Sequence, residues 1–224
     1  MKSKEENRVE VVLDWNMYNK LTNFLEHLSR LDNIHQWEER DSIIKESVSQ
    51  HSFKVCAIAH YLLRIIEKEM KELLSDDSAA YLKFVEFKAN CLSYAILHDF
   101  DEAIIGRDIS HVVKYNSYNG GKIREAINDF VNHQETLDFQ DLIPKPTEVV
   151  KKFVKVCDWV ALSTFCERNK RMGCISFASE NHYCDEKLRE AISSFVKIFS
   201  IEFKTEFFNI FETLDKIITL KWQH

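Results

Sequence analysis

Glycine and proline are nearly missing from this chain, at four and two residues among 224. That scarcity excludes a turn-dense β-sandwich and a glycine-lined nucleotide loop. Cysteine occurs six times (Cys56, Cys91, Cys157, Cys166, Cys174 and Cys184) but never as a CxxC pair. Cys56, Cys91 and Cys157 lie inside apolar runs, where a thiol acts as a small hydrophobe, so the spacing argues against a zinc or redox role. No stretch of about 18 uncharged apolar residues is present to cross a bilayer, and the opening MKSKEENRVE has no apolar signal core. A net charge of -6 gives no excess of basic residues for gripping nucleic acid. These absences lead to the expectation of a soluble, cytoplasmic protein without a membrane or nucleic-acid partner.

What remains favours helices. Hydrophobic residues make up 45% of the chain, enough for one large domain with a real core. Long segments rich in Lys, Glu, Leu, Ile, Phe and Ala read as an all-α fold. The periodicity predicts helices over residues 11–32, from Ser52 to about Met70, and from about Ala80 to Ile105, where Gly106 stops the chain. Asp76, Asp77 and Ser78 are candidate N-caps before the third of these. A long polar connection follows, then a helix over 122–137. The turn LIPKPTE offers Thr147 as N-cap of a helix from Glu148 to about Cys166. Residues 167–183 read as loop. Residues 185–218 carry Phe195, Phe199, Phe203, Phe207, Phe211 and Leu214 about every four positions. That stripe reads as core, with a dimer face as the alternative. No linker separates domains, so residues 1–224 are expected to form one.

Several polar residues stand where apolar ones would be expected. His51 begins one apolar helix, the pair His98-Asp99 lies late in a second, and Asp158 interrupts a third in VVKKFVKVCDWVAL. A carboxylate in the middle of an apolar helix costs several kcal/mol unless it is paired, hydrogen-bonded or bound to a cation. A lone histidine at a helix end is more commonly a cap or a surface group. Two imidazoles and two carboxylates pointing inward from three packed helices, however, suit one divalent transition metal, with Mn, Fe, Co or Zn all compatible with mixed nitrogen and oxygen donors.

The ordered set of motifs resembles the HD-domain metal-dependent phosphohydrolases, and among them the YfbR-like 5'-deoxynucleotidases. The matching pieces are QW at 36–37, ESVSQHS at 46–52, HDFDE at 98–102, GRDISHVVKY at 106–115 and KVCD at 155–158, so the likeness runs over about residues 34–170. It implies a single HD-domain helical bundle, with the C-terminal helix at about 185–218 as an addition. It places the metal ligands on His51, His98, Asp99 and Asp158. The family's essential acid falls on Glu102, four residues beyond His98 and so on the same helical face. Residues toward the substrate would be Gln36, Trp37, Asp108, Lys114 and Lys155.

Three departures stand out. Gln36 replaces the family's arginine, and an amide does not reproduce a bidentate guanidinium grip on phosphate; Arg40, Lys45, Arg107, Lys114 and Lys155 are candidates for the missing charge. Gln50 replaces a glutamate beside the metal histidine, and Arg107 is inserted between Gly106 and Asp108. His111 and His133 occupy the interval in which dinuclear members of the superfamily carry two further histidines. The resemblance thus implies a homodimeric enzyme that hydrolyses phosphate from deoxynucleoside monophosphates. Triphosphate hydrolysis on the same site and a non-catalytic nucleotide-binding HD module are the alternatives.

Overall fold

The computed structural model describes residues 15–37, 41–74, 77–108, 125–126, 129 and 145–203. Helix α1 spans Trp15–Arg30, α2 Val48–Leu73, α3 Ser78–Leu97, α4 Phe100–Ile105, α5 Glu148–Arg171 and α6 Phe177–Phe203. The all-α expectation holds: among the described residues the only β-type pairing is an isolated antiparallel bridge between His35 and Ser47. No described helix is long and apolar enough to cross a membrane.

Local chemistry sets most helix ends. Ser47 caps α2, its Oγ accepting from the Gln50 backbone while the Gln50 side chain accepts from the Ser47 N–H at 3.2 Å. That reciprocal box starts α2 four residues before Ser52, where the apolar pattern alone predicts it, and it gives Gln50 a structural task. Of the candidate caps before α3, Asp77 serves, accepting from the Ala80 N–H at 2.9 Å. Thr147 is the N-cap of α5 by backbone, without a side-chain cap bond. Gly106 closes α4 with φ 77°, a left-handed conformation that costs glycine little, and its N–H bonds the Glu102 carbonyl at 2.8 Å.

Two expectations are corrected. The helix predicted over Ala80–Ile105 is two helices, broken at His98 and Asp99. The segment 167–183, read as loop, is mostly helical: α5 continues to Arg171, the chain reverses through Gly173 at φ 96°, and α6 begins at Phe177. Three of the polar residues that suggested a loop, Glu167, Asn169 and Asn181, are instead buried and partnered. Asn181 Nδ2 donates to Glu167 Oε2 at 3.2 Å, Arg171 Nε donates to Glu167 Oε1 at 2.8 Å, and the fully buried Asn169 accepts the Ile44 N–H at 2.9 Å. The helix predicted over 122–137 falls almost wholly outside the described residues, as do Phe207, Phe211 and Leu214.

The main core joins α2, α3, α5 and α6. Phe87 meets Phe153, Phe199 and Phe203 edge-on at 5.9, 5.4 and 5.6 Å between ring centroids. Each such pair contributes about 1 kcal/mol beyond the area it hides. The described half of the phenylalanine stripe, Phe195, Phe199 and Phe203, is therefore buried within the chain, as the core reading expects. The six cysteines are free thiols, and Cys91, Cys157, Cys166 and Cys184 are buried. A smaller cluster of Leu31, Ile34, Val48, Phe100 and Ala103 ties the end of α1 to α4. It fixes the short helix that follows His98 and Asp99 against the first turn of α2.

Candidate metal and acid–base site

Three separate stretches of chain deliver the polar residues to one place. The capping box orients the first turn of α2 so that His51 points inward, 2% exposed. His98 and Asp99 occupy the break between α3 and α4, and Asp158 lies midway along α5, 6% exposed. His51 Nε2 is 3.1 Å from Asp158 Oδ1 and 4.0 Å from Asp99 Oδ2. His98 Nε2 is 3.1 Å from Asp99 Oδ2. His51, His98 and Asp158 each offer a donor atom within 4.8 Å of the others, close to the span of two ligands across one ion with bonds of about 2.1 Å.

The hydrogen bonds around the cluster set which nitrogens are available. His98 Nδ1 faces the Ala95 carbonyl at 2.9 Å, and a carbonyl can only accept, so Nδ1 carries the hydrogen. The neutral ring then presents the Nε2 lone pair toward the Asp99 carboxylate. This buried nitrogen makes no hydrogen bond. A buried ring nitrogen 3.1 Å from a carboxylate oxygen calls for a positive group between them, and this donor set fits a metal ion. His51 is held in a similar way, with Nδ1 3.6 Å from Glu46 Oε1 and Nε2 left for the centre. A histidine that anchors its outer nitrogen on a carboxylate while its inner one faces a metal is the common arrangement at such sites.

The charges of the cluster agree with this. Burial by itself would lower the His51 pKa, but the Asp158 hydrogen bond and the neighbouring Glu46 and Asp99 carboxylates favour its charged form, pushing it up to about 10. Burial would raise Asp158, but Lys155 and His51 hold its carboxyl well below the usual range. Lys155 Nζ is 2.7 Å from Asp158 Oδ2 and 4.8 Å from the Trp159 ring centroid. A proton on His51 Nε2 occupies the place that a divalent cation would take between this ring and the Asp158 and Asp99 carboxylates.

Glu102 lies on α4, 1% exposed, and its N–H bonds the Asp99 carbonyl at 3.0 Å. The break at Asp99 thus sets the acid one turn beyond the His98-Asp99 pair. Asp99 is the N-cap of α4, yet its carboxylate makes no cap bond and faces His98 and His51 instead.

On the substrate side, Asp108 Oδ2 accepts the Trp37 backbone N–H at 2.8 Å, joining two motifs 71 positions apart. Trp37 has φ 59°, uncommon for a side chain of this size and held here by that bond. Its ring meets Phe177 edge-on at 5.9 Å, so it is part-packed on the core. Gln36 is buried, its N–H bonded to the Glu46 carbonyl at 2.8 Å. Among the candidates for the missing arginine charge, Lys155 touches the cluster through Asp158. Lys114, Arg40, His111 and His133 lie outside the described residues.

Glu46 is the residue that sequence reasoning passed over. It sits one position before the cap of α2, 3% exposed, pairs with Lys54 and faces His51. The signal was in ESVSQHS itself: a carboxylate five residues ahead of an inward-facing histidine, across a capping serine.

A family model of YfbR-like 5'-deoxynucleotidases matches residues 23–207. A 5'-deoxynucleotidase from Vibrio cholerae is 24% identical over 200 residues, which cover 83% of this chain and 94% of that relative. One from Vibrio parahaemolyticus is 30% identical over 51% of this chain, and one from Shigella boydii is 31% identical over 43%. Those two alignments span 53% and 42% of the relatives' own lengths. A solved HD-domain phosphohydrolase from Listeria innocua superposes with a TM-score of 0.52 at 17% identity, covering 91% of this chain and 98% of that one, and so shares its fold. With the family match running over most of the chain and over every element of the cluster just described, this chain belongs to the YfbR-like 5'-deoxynucleotidase family.

Proposed function

We propose that the chain is a metal-dependent phosphohydrolase that releases phosphate from deoxynucleoside 5'-monophosphates. The observation that carries this is the convergence of His51, His98 and Asp158 within 4.8 Å, with Asp99 beside them and a buried Glu102 one turn on. His51, His98, Asp99 and Asp158 are the ligands of one divalent transition metal. When bound, such an ion supplies Lewis acidity toward a phosphoryl oxygen and an activated water near neutral pH.

The chain's own groups do the rest. The Ala95 carbonyl and Glu46 fix the two imidazoles so that both inner nitrogens point at one centre. Lys155, already paired with Asp158, brings positive charge to the edge of the cluster, where it offsets charge gathering on phosphoryl oxygens. Glu102 handles the proton, passing it to the departing 5'-oxygen or taking it from the attacking water. Trp37, clamped by Asp108, offers an indole face to the nucleoside, and Gln36 beside it contributes an amide where relatives of the resembling type carry arginine.

The test is a nucleotide panel assayed with added Mn or Co, following both orthophosphate and longer polyphosphate products. Orthophosphate from deoxynucleoside monophosphates is the expected result; a metal-loaded protein that hydrolyses none of them overturns the reading. Glu102→Ala should lower turnover at least about 100-fold, the usual range for a general acid–base group, while the metal content stays at that of the unaltered chain. Loss of metal together with activity would give Glu102 a structural role instead.

A further inference from the structure

An open pocket lies on the face of α2 beside the cluster. It offers about 610 Å³ and is lined in part by Lys45, Glu46, Gln50, Phe53, Lys54 and Arg168. None of His51, His98, Asp99, Glu102 or Asp158 lines it. Three cations from two places in the sequence, the start of α2 and the last turn of α5, thus converge on one opening. Two of them, Lys45 and Arg168, are exposed and take part in none of the ion pairs among the described residues. Lys54 is paired with Glu46, whose carboxylate is buried beneath it. Phe53 stands at the same opening with 75% of its surface exposed.

Lys45 and Arg168 bring positive charge without an ion-pair partner among the described residues to the same opening, and an anion bound there is attracted to both. A guanidinium and two ammonium groups match the oxygens of a phosphate group, and an exposed phenyl ring at the lip offers a stacking face. The volume is that of a small-molecule site. We propose that this pocket is a second ligand site, separate from the His51–His98–Asp158 cluster, that binds a nucleoside monophosphate with its phosphate on Lys45, Lys54 and Arg168 and its base on Phe53. Glu46 is the residue the two sites share, with one oxygen toward Lys54 and the other toward His51.

Lysine footprinting on the full, metal-loaded chain tests this at the site itself. Acetylation by an N-hydroxysuccinimide ester is followed at Lys45 by mass spectrometry, with the exposed Lys68, about 30 Å from the start of α2, as internal reference. Adenosine monophosphate at about ten times its dissociation constant should slow Lys45 labelling about tenfold relative to Lys68, by mass action. Inorganic phosphate should protect at higher concentration, because it lacks the ring contact, and Phe53→Ala should bring the two ligands to equal potency. Arg168→Glu should remove protection by both. Unchanged Lys45 labelling with every phosphate ligand overturns the proposal, as does protection that survives Arg168→Glu or is given equally by adenosine without its phosphate. A competent cluster would consume the monophosphate, so the labelling is repeated in the metal-loaded Glu102→Ala chain, where protection of Lys45 is read without turnover.

Discussion

Glu46 sits between a lysine on one side and an imidazole on the other, and its place explains why a buried carboxylate is tolerated there. Burial would raise its pKa, but contacts with His51 and Lys54 outweigh that and lower it. It is therefore a fixed negative charge that orients His51 Nδ1 and leaves Nε2 for the centre. Partners of this kind are worth about 10- to 100-fold in metal affinity. Glu46→Gln should weaken Mn or Co binding by roughly tenfold, because the neutral amide still fills the space but no longer stabilises an imidazole that gives electron density to a metal. Turnover at saturating metal should be close to that of the unaltered chain. Direct metal titration checks the first expectation and a metal-dependence curve of kcat the second; unchanged metal affinity would reduce Glu46 to a packing residue.

The elements show where sequence patterns succeed and where they stop. Apolar periodicity located α2 and α5, and the inward-facing His51 and Asp158 stood out because each breaks an apolar face. The break between α3 and α4 carried no glycine or proline to announce it. It exists because Asp99 turns its carboxylate toward two imidazoles instead of capping its own helix, a tertiary demand that no local pattern encodes. The buried set Glu167, Asn169 and Asn181 failed to read as helix for a related reason: polar residues look solvated until their partners across α5 and α6 are known. A pairing between α2 and α3 offers a test at this scale. Glu67 on α2 lies 2.9 Å from Lys88 on α3, with Arg64 and Lys71 at 3.1 and 3.7 Å, and its pKa is lowered, chiefly by the Lys88 hydrogen bond. A carboxyl depressed below its unfolded value of 4.5 stabilises the fold above that pH, and the gain is lost as pH falls through the folded pKa. Glu67→Gln should therefore cost about 1 kcal/mol at pH 7, the scale of a partly exposed ion-pair network, and nothing once the pH is well below 4.5. Urea melts of both chains at neutral and acid pH measure the difference; an equal deficit at both would assign the effect to packing.

At the scale of the whole molecule, the cluster is a junction. α2 contributes His51, the α3–α4 break His98 and Asp99, and α5 Asp158, so the groups that would grip a metal come from elements joined elsewhere by the apolar core and, between α2 and α3, by the Glu67–Lys88 pair. At this junction the carboxylates of Asp99 and Asp158 are countered by the His51 imidazole and by Lys155. An ion bound to the folded chain and not to the unfolded one must stabilise the assembly by mass action. With free metal at about 100 times its dissociation constant the gain is about 2.7 kcal/mol, which for a chain of this length raises the melting temperature by roughly 5–10 °C. Chelation should therefore lower the melting temperature by that amount, and adding Mn or Co should restore it. In Asp158→Asn the neutral amide removes a ligand charge, and melting should respond to chelator by less than about a tenth of the original shift, since stabilisation scales with bound ion. The two chains together separate the possible causes. A chelator response that persists in Asp158→Asn would place the ion elsewhere, and none in the unaltered chain would mean that these side chains hold no ion at all.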